Sequence, residues 1–188
     1  MARTAQSVFK TCAACHGDSG QGRFDIQAPG IAGLPKWYIV SQIKKFKNGG
    51  RGKHHLDYAG LRMRPMARSI YKSDIDLISD YISKLPRAKA ASTFNDEMAG
   101  DAAKGKNYYN TCLACHGPTG DGMEALKAPP LKGMADWYLF SQLKKFKSRQ
   151  RGYDPVRDLE GTTQMAPMAN TLPDDQAIRD VIEYINTF

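Results

Sequence analysis

All four cysteines of this chain fall in two pentapeptides, Cys12-Ala13-Ala14-Cys15-His16 and Cys112-Leu113-Ala114-Cys115-His116, and a glycine follows each. The two strings are 100 residues apart, and that offset also relates Ala28-Pro29 to Ala128-Pro129, Trp37-Tyr38 to Trp137-Tyr138, and Arg51-Gly52 to Arg151-Gly152. It relates Ser41-Gln42-Ile43-Lys44-Lys45-Phe46-Lys47 to Ser141-Gln142-Leu143-Lys144-Lys145-Phe146-Lys147 as well. After Gly152 a two-residue insertion shifts the register, so Met63-Arg64-Pro65-Met66-Ala67 matches Met165-Ala166-Pro167-Met168-Ala169 at an offset of 102. A repeat this long means tandem domains rather than a solenoid. The expected division is a first domain over 1–85, a linker over 86–101 and a second domain over 102–188. The linker stretch PRAKAASTFNDEMAGD is small and polar, without a sustained apolar period.

Two thiols three residues apart on a helical turn face the same way. They can bond the two vinyl groups on one edge of a haem, and the histidine that follows can supply the proximal imidazole. This is the attachment signal for c-type haem. A dithiol redox pair needs neither the trailing histidine nor a second copy. A zinc site pooled from both motifs would use only four of the six Cys and His available. The expected cofactors are therefore two covalently bound haem c groups, each with one iron. Cys12, Cys15, Cys112 and Cys115 are the tethers, and His16 and His116 the proximal ligands. Each copy is small for its loop content, and the apolar macrocycle supplies the missing core, so the apo-protein is expected to be poorly folded.

The second axial ligand must be present in both copies if both work alike. The spare histidines His54 and His55 match Asp154 and Pro155 and so fail that test. Met123 and Met134 match Arg23 and Leu34, and read as packing residues. Only Met63/Met165 and Met66/Met168 are duplicated, in a Pro-containing segment with little helical pattern, which reads as a loop. The first of each pair, Met63 and Met165, is the expected ligand, with Met66 and Met168 as the alternative and core filling as the bland reading. A ligating imidazole usually donates its other N–H to an oxygen. The carbonyls of Pro29 and Pro129 are candidates; the competing reading is that these prolines only stiffen a turn.

The fold class is all-α. Trp37, Val40, Ile43 and Phe46 recur at helical spacing with lysines mostly opposite, and Ile75, Ile78, Ile82 and Leu85 repeat the pattern, as do Ile178, Val181, Ile182 and Ile185. Asp74 and Asp174 stand at the expected helix starts. A short helix should run into each cysteine motif.

The order C-x-x-C-H-G, Pro, aromatic-led helix, Met-x-x-Met and closing helix resembles class I cytochrome c, and two such units in one chain resemble the di-haem cytochromes of the c-four type. The resemblance covers nearly the whole chain. It implies thioethers at Cys12, Cys15, Cys112 and Cys115, proximal His16 and His116, and distal Met63 and Met165. It implies two haems close enough for fast internal transfer, with propionates near the domain interface. It also implies aromatic packing of Phe9 with Tyr81 and of Tyr109 with Tyr184. One departure is that Gly100 to Gly105 lead into the second motif, whereas only eleven residues precede Cys12. Nothing at the start reads as a signal peptide, and the family attaches haem outside the cytoplasm. The expected setting is thus periplasmic or otherwise extracytoplasmic. The expected parent is a longer precursor with an export signal or membrane anchor, such as a membrane-bound respiratory subunit.

Residues 1–94 carry 16 Lys/Arg against 6 Asp/Glu, and residues 95–188 carry 11 against 13. Such asymmetry orients encounters with charged partners. The expected partners are redox proteins, with an acidic surface docking the first domain through Lys44, Lys45 and Lys47; otherwise these lysines are the solvated face of a helix. No nucleic-acid motif and no apolar run long enough to span a membrane occur. The leading functional reading is a non-enzymatic carrier of electrons between respiratory partners, with high-potential His/Met haems. The alternatives are a haem-bearing electron-entry domain of a larger membrane oxidase or oxidoreductase complex, and a di-haem peroxidase-like enzyme, which should show asymmetry between its two sites.

Overall fold

A computed structural model describes residues 3–87, 90–154, 156–158 and 162–188. Ala88 and Lys89 of the expected linker, and Pro155, the counterpart of His55, lie outside the described residues. The chain divides into two compact units, Met1–Ala88 and Lys89–Phe188. Among the described residues both are helical, with no strand beyond the isolated bridges Arg23–Ala28 and Met123–Ala128.

The first unit holds α1 (Ala5–His16), α2 (Lys36–Asn48), α3 (Tyr58–Ser69) and α4 (Asp74–Ser83). Thr4 caps α1 by accepting from the Ser7 N–H at 3.2 Å. Asp74, at the start of α4, accepts instead from Arg3 at 2.9 Å. The buried Ile75, Ile78 and Ile82 turn α4 against α1 and α2, with the Phe9 and Tyr81 rings 5.3 Å apart. On α2 Ile43 and Phe46 of the expected stripe are buried together with Tyr38, Ile39 and Lys45, whereas Trp37 and Val40 are half-buried.

The second unit holds α5 (Ala102–His116), α6 (Asp136–Lys147), α7 (Thr162–Asn170) and α8 (Asp175–Asn186). Asp174 caps α8 by accepting from Ala177 N–H at 2.8 Å. Ile178, Val181, Ile182 and Ile185 form its apolar stripe, packed with Tyr109, Leu139 and Leu172 in one cluster. The Tyr109 and Tyr184 rings lie 5.5 Å apart, and Tyr109 donates to the Gly117 carbonyl at 2.7 Å. α5 crosses α8 so closely that a Cβ on Gly105 would collide with the Asp180 carbonyl, where the first copy has Ala5.

Part of the stretch expected as a linker is fastened into the second unit. The buried Asp136 carboxylate accepts from Ser92 Oγ, Thr93 N and Thr93 Oγ1, each at 2.7 Å, and from Phe94 N at 3.2 Å. Burial alone would raise the pKa of this carboxyl, but these hydrogen bonds outweigh it and hold the pKa below the usual aspartate value. Further along, the Asp101 N–H donates to Asp180 at 2.9 Å.

The methionine segments are helices, α3 and α7, and not the loops expected from sequence. Pro65 lies inside α3 and Pro167 inside α7. The N–H that Pro65 lacks would have met the carbonyl of Leu61, and both residues are on the exposed side, where water can serve that carbonyl. Asp57 secures the entry to α3 by accepting from Gly60 N at 3.0 Å.

Candidate functional site

Each C-x-x-C-H motif forms the last turn of a helix, α1 or α5, placing its two thiols and its imidazole at one end. Gly17 and Gly117 stop these helices at φ 83° and 78°. The chain then doubles back, with Gly22 N donating to His16 O at 2.7 Å and Gly122 N to His116 O at 2.9 Å. Gly22 has φ 88°, and a Cβ there would come 2.8 Å from the Pro29 carbonyl carbon and closer still to Gly30 N. Only glycine lets the proline segment come in this close.

The approach brings Pro29 O to 2.7 Å from His16 Nδ1 and Pro129 O to 2.8 Å from His116 Nδ1. A carbonyl only accepts, so Nδ1 donates and Nε2 is the nitrogen presented to a metal. Both imidazoles are buried, and burial pushes their pKa values down against the opposing proline hydrogen bond, favouring the neutral ring that ligates. Burial also raises the thiol pKa of Cys12, and takes that of Cys112 up to about 11, with Cys115 adding to the rise. Such thiols are poor thiolates at neutral pH, unlike those of reactive dithiol pairs. Among the described residues no three His, Cys, Asp or Glu side chains gather as a metal-ion site. Buried neutral imidazoles with Nε2 available, beside paired thiols, fit a covalent haem.

The duplicated methionines separate by burial. Met63 and Met165 are half-buried, whereas Met66 and Met168 are 39% and 38% exposed. Met134 packs against the second unit's core as expected, but Met123 is exposed and is not a packing residue. His54 and His55 stack on each other, ring centroids 4.6 Å apart, in the approach to α3.

The lysine row does not form one solvated or docking face. Lys45 is only 4% exposed. Lys47 turns its ammonium onto the C-terminal end of α3, donating to the carbonyls of Ala67 at 3.0 Å, Arg68 at 3.1 Å and Ile70 at 2.5 Å. Lys147 likewise donates to Leu172 O, and only Lys44 of the first-unit trio is exposed. Long methylene stems let lysines bury their length and cap carbonyls. Sequence periodicity assigns Phe46 to the apolar stripe of α2 and gives Gln42 and Arg51 no role. Arg51 is buried, donates to Gln42 at 2.7 Å and lies over the Phe46 ring at 4.6 Å; Arg151 repeats this with Gln142 at 2.7 Å and Phe146 at 4.7 Å. Exact duplication of the trio in sequence is the signal that points to it.

Residues 2–86 and 102–188 each match the Cytochrome c family. The thiosulfate dehydrogenase electron acceptor of Stutzerimonas stutzeri is 30% identical over 188 residues, covering 96% of this chain and 80% of that protein. Cytochrome c4 of Acidithiobacillus ferrooxidans has a similar structure, with TM-score 0.74 and 25% identity over 96% of this chain and 99% of that one. The thiosulfate dehydrogenase (TsdBA) of Marichromatium purpuratum also matches, with TM-score 0.76 and 28% identity over 97% of this chain but 39% of that chain. With two C-x-x-C-H turns built alike, the chain belongs to the cytochrome c family as a tandem-domain cytochrome carrying two covalent haem c groups.

Proposed function

We propose that the chain is an extracytoplasmic electron carrier and not itself an enzyme, shuttling single electrons between redox proteins. Its domains are 1–85 and 102–188, joined by 86–101. His16 with Met63, and His116 with Met165, are the axial pairs. The observation that carries this reading is the same arrangement in both units: a buried histidine oriented by a proline carbonyl, and a helix whose half-buried methionine stands at the matching position. Bound haem c supplies a one-electron iron couple. The proline carbonyls fix which ring nitrogen of His16 and His116 is free for a metal, burial keeps the imidazoles neutral, and Met63 and Met165 would supply the second ligand to each iron. Filling both axial positions leaves no place for substrate, and sulfur ligation favours a high reduction potential. An enzyme with one open iron would be expected to lack a candidate in one unit.

The test is the weak Met-to-ferric-iron absorption band of the holoprotein. Met63→Ala plus Met165→Ala should abolish it, and Met66→Ala plus Met168→Ala should leave it. The reverse pattern would transfer the role to the second methionines.

A second reading is favoured by the extent of the TsdBA match, in which this chain corresponds to 39% of a longer protein. On that reading it accepts electrons from a thiosulfate-oxidising dehydrogenase within a complex. Among the described residues no helix is long and apolar enough to cross a membrane.

A further inference from the structure

The two methionine-bearing helices differ in charge. α3 carries Arg62, Arg64 and Arg68 where α7 has Gln164, Ala166 and Asn170. Arg62 and Arg68 are exposed, and so are Tyr58, Leu61, Pro65, Met66 and Ser69, which together make up the outer arc of α3. Arg62 donates to Ile26 O at 2.8 Å, which ties the loop bearing the 57% exposed Phe24 to this helix. Apolar side chains and guanidinium groups therefore share one surface, with Met63 on the inner side of the same helix. Asp25, the acidic residue of that loop, is paired with Arg23 at 2.6 Å. Four other cations of the unit are engaged elsewhere: Arg3 with Asp74, Lys36 with Asp76, Lys84 with Asp80, and Lys47 on carbonyls.

We propose that the outer arc of α3, with Phe24 beside it, is the docking surface for a redox protein that presents acidic side chains around an apolar patch. The inference rests on the carrier reading above and replaces the lysine row as the site of contact. Apolar groups in the middle of a small interface exclude water, while arginines steer the approach and pair with carboxylates. A partner seated there is separated from Met63 by about one helix diameter, on the order of 10 Å. The matching arc of α7 lacks the arginines and so lacks the steering.

The experiment uses the full-length holoprotein and a reduced, acidic plant-type two-iron ferredoxin as electron donor, followed by stopped flow. For the unaltered protein the second-order rate should fall steeply as salt is added. Arg62→Glu plus Arg68→Glu should slow it by about tenfold or more at low ionic strength and flatten the salt dependence. Gln164→Glu plus Asn170→Glu, the matched change on α7, should stay within about twofold. Because Arg62 also holds a loop, Leu61→Glu plus Arg68→Glu serves as a second variant, and an unchanged Met-to-iron band certifies each fold. Both α3 variants reacting within twofold of the parent, or the α7 variant slowing equally, would overturn the docking surface while leaving the carrier intact. Failure of the unaltered protein to accept electrons from any donor would instead overturn the carrier reading.

Discussion

Replacing Lys47 with methionine keeps the aliphatic stem and removes the ammonium that holds the end of α3. That ammonium reaches three carbonyls, of Ala67, Arg68 and Ile70, at 2.5–3.1 Å. A hydrogen bond to a charged group contributes about 1.5–3 kcal/mol net, and a cation at a helix C-terminus about 0.3–1 kcal/mol. The three bonds share one half-exposed donor, so they do not add in full. A loss of about 2 kcal/mol in the stability of α3 against local opening is expected, equivalent to roughly thirtyfold in that equilibrium. Met63, the proposed iron ligand, rides on α3, so opening should expose the position it would take. The assay is imidazole binding to the ferric holoprotein, where imidazole would compete with a methionine ligand. Apparent affinity should rise about thirtyfold for Lys47→Met, and should move less than about twofold for Lys44→Met, whose side chain is exposed. Equal affinities for the two variants and the parent would refute the capping role. An increase with Lys44→Met alone would refute the division of labour among the lysines.

Asp136→Asn should loosen residues 92–94 at a cost of about 2–4 kcal/mol, since a buried carboxylate accepting four bonds from that segment loses its charge. Amide hydrogen exchange at Thr93 and Phe94 would report it, and unchanged protection would count against the fastening role. The folded-state pKa of Asp136 is depressed, so its stabilisation is complete above the unfolded value near 4 and fades as pH falls through the folded value. The gap between variant and parent should accordingly shrink in acid, as measured by denaturant unfolding at neutral pH and at about pH 3. Gly22→Ala places a Cβ against the Pro29–Gly30 backbone at positive φ and should cost about 2–4 kcal/mol. Gly17→Ala meets only the movable Gln21 side chain and should cost about 1 kcal/mol. Thermal unfolding followed through haem absorbance separates the two, and equal losses would contradict the close approach seen at Gly22.

The parts of this molecule that could be read from sequence are those where one simple period or one dense motif dominates. α8 buries Ile178, Val181, Ile182 and Ile185, a stripe of large apolar residues that announces its own helix. The haem turns announce themselves by composition, since every cysteine is in them. α3 and α7 escaped because their inner faces are made of small or singular residues. Gly60, Met63 and Ala67, and likewise Thr162, Met165 and Ala169, keep the helical spacing i, i+3, i+7, but none except the methionine registers as an apolar stripe. An interior proline then argued for a loop, where in fact the missing donor falls on the solvent side.

The lysines escaped for a different reason: a periodicity argument sorts side chains by the direction of Cβ, whereas a lysine's charge sits four carbons further on and can turn back to a helix end. The fastening of 92–94 was also written in the chain, as the exchange of Lys36 for Asp136. In the first unit that position pairs with Asp76 at 2.8 Å, and in the second it collects the connecting segment. A duplicated chain is thus informative in two ways. Agreement between the copies marks what each haem turn requires, namely Cys, Cys, His, Gly22 or Gly122, and Pro29 or Pro129. Disagreement at structurally matched positions marks what each unit does alone, and the arginines of α3 against the uncharged face of α7 belong to that second class.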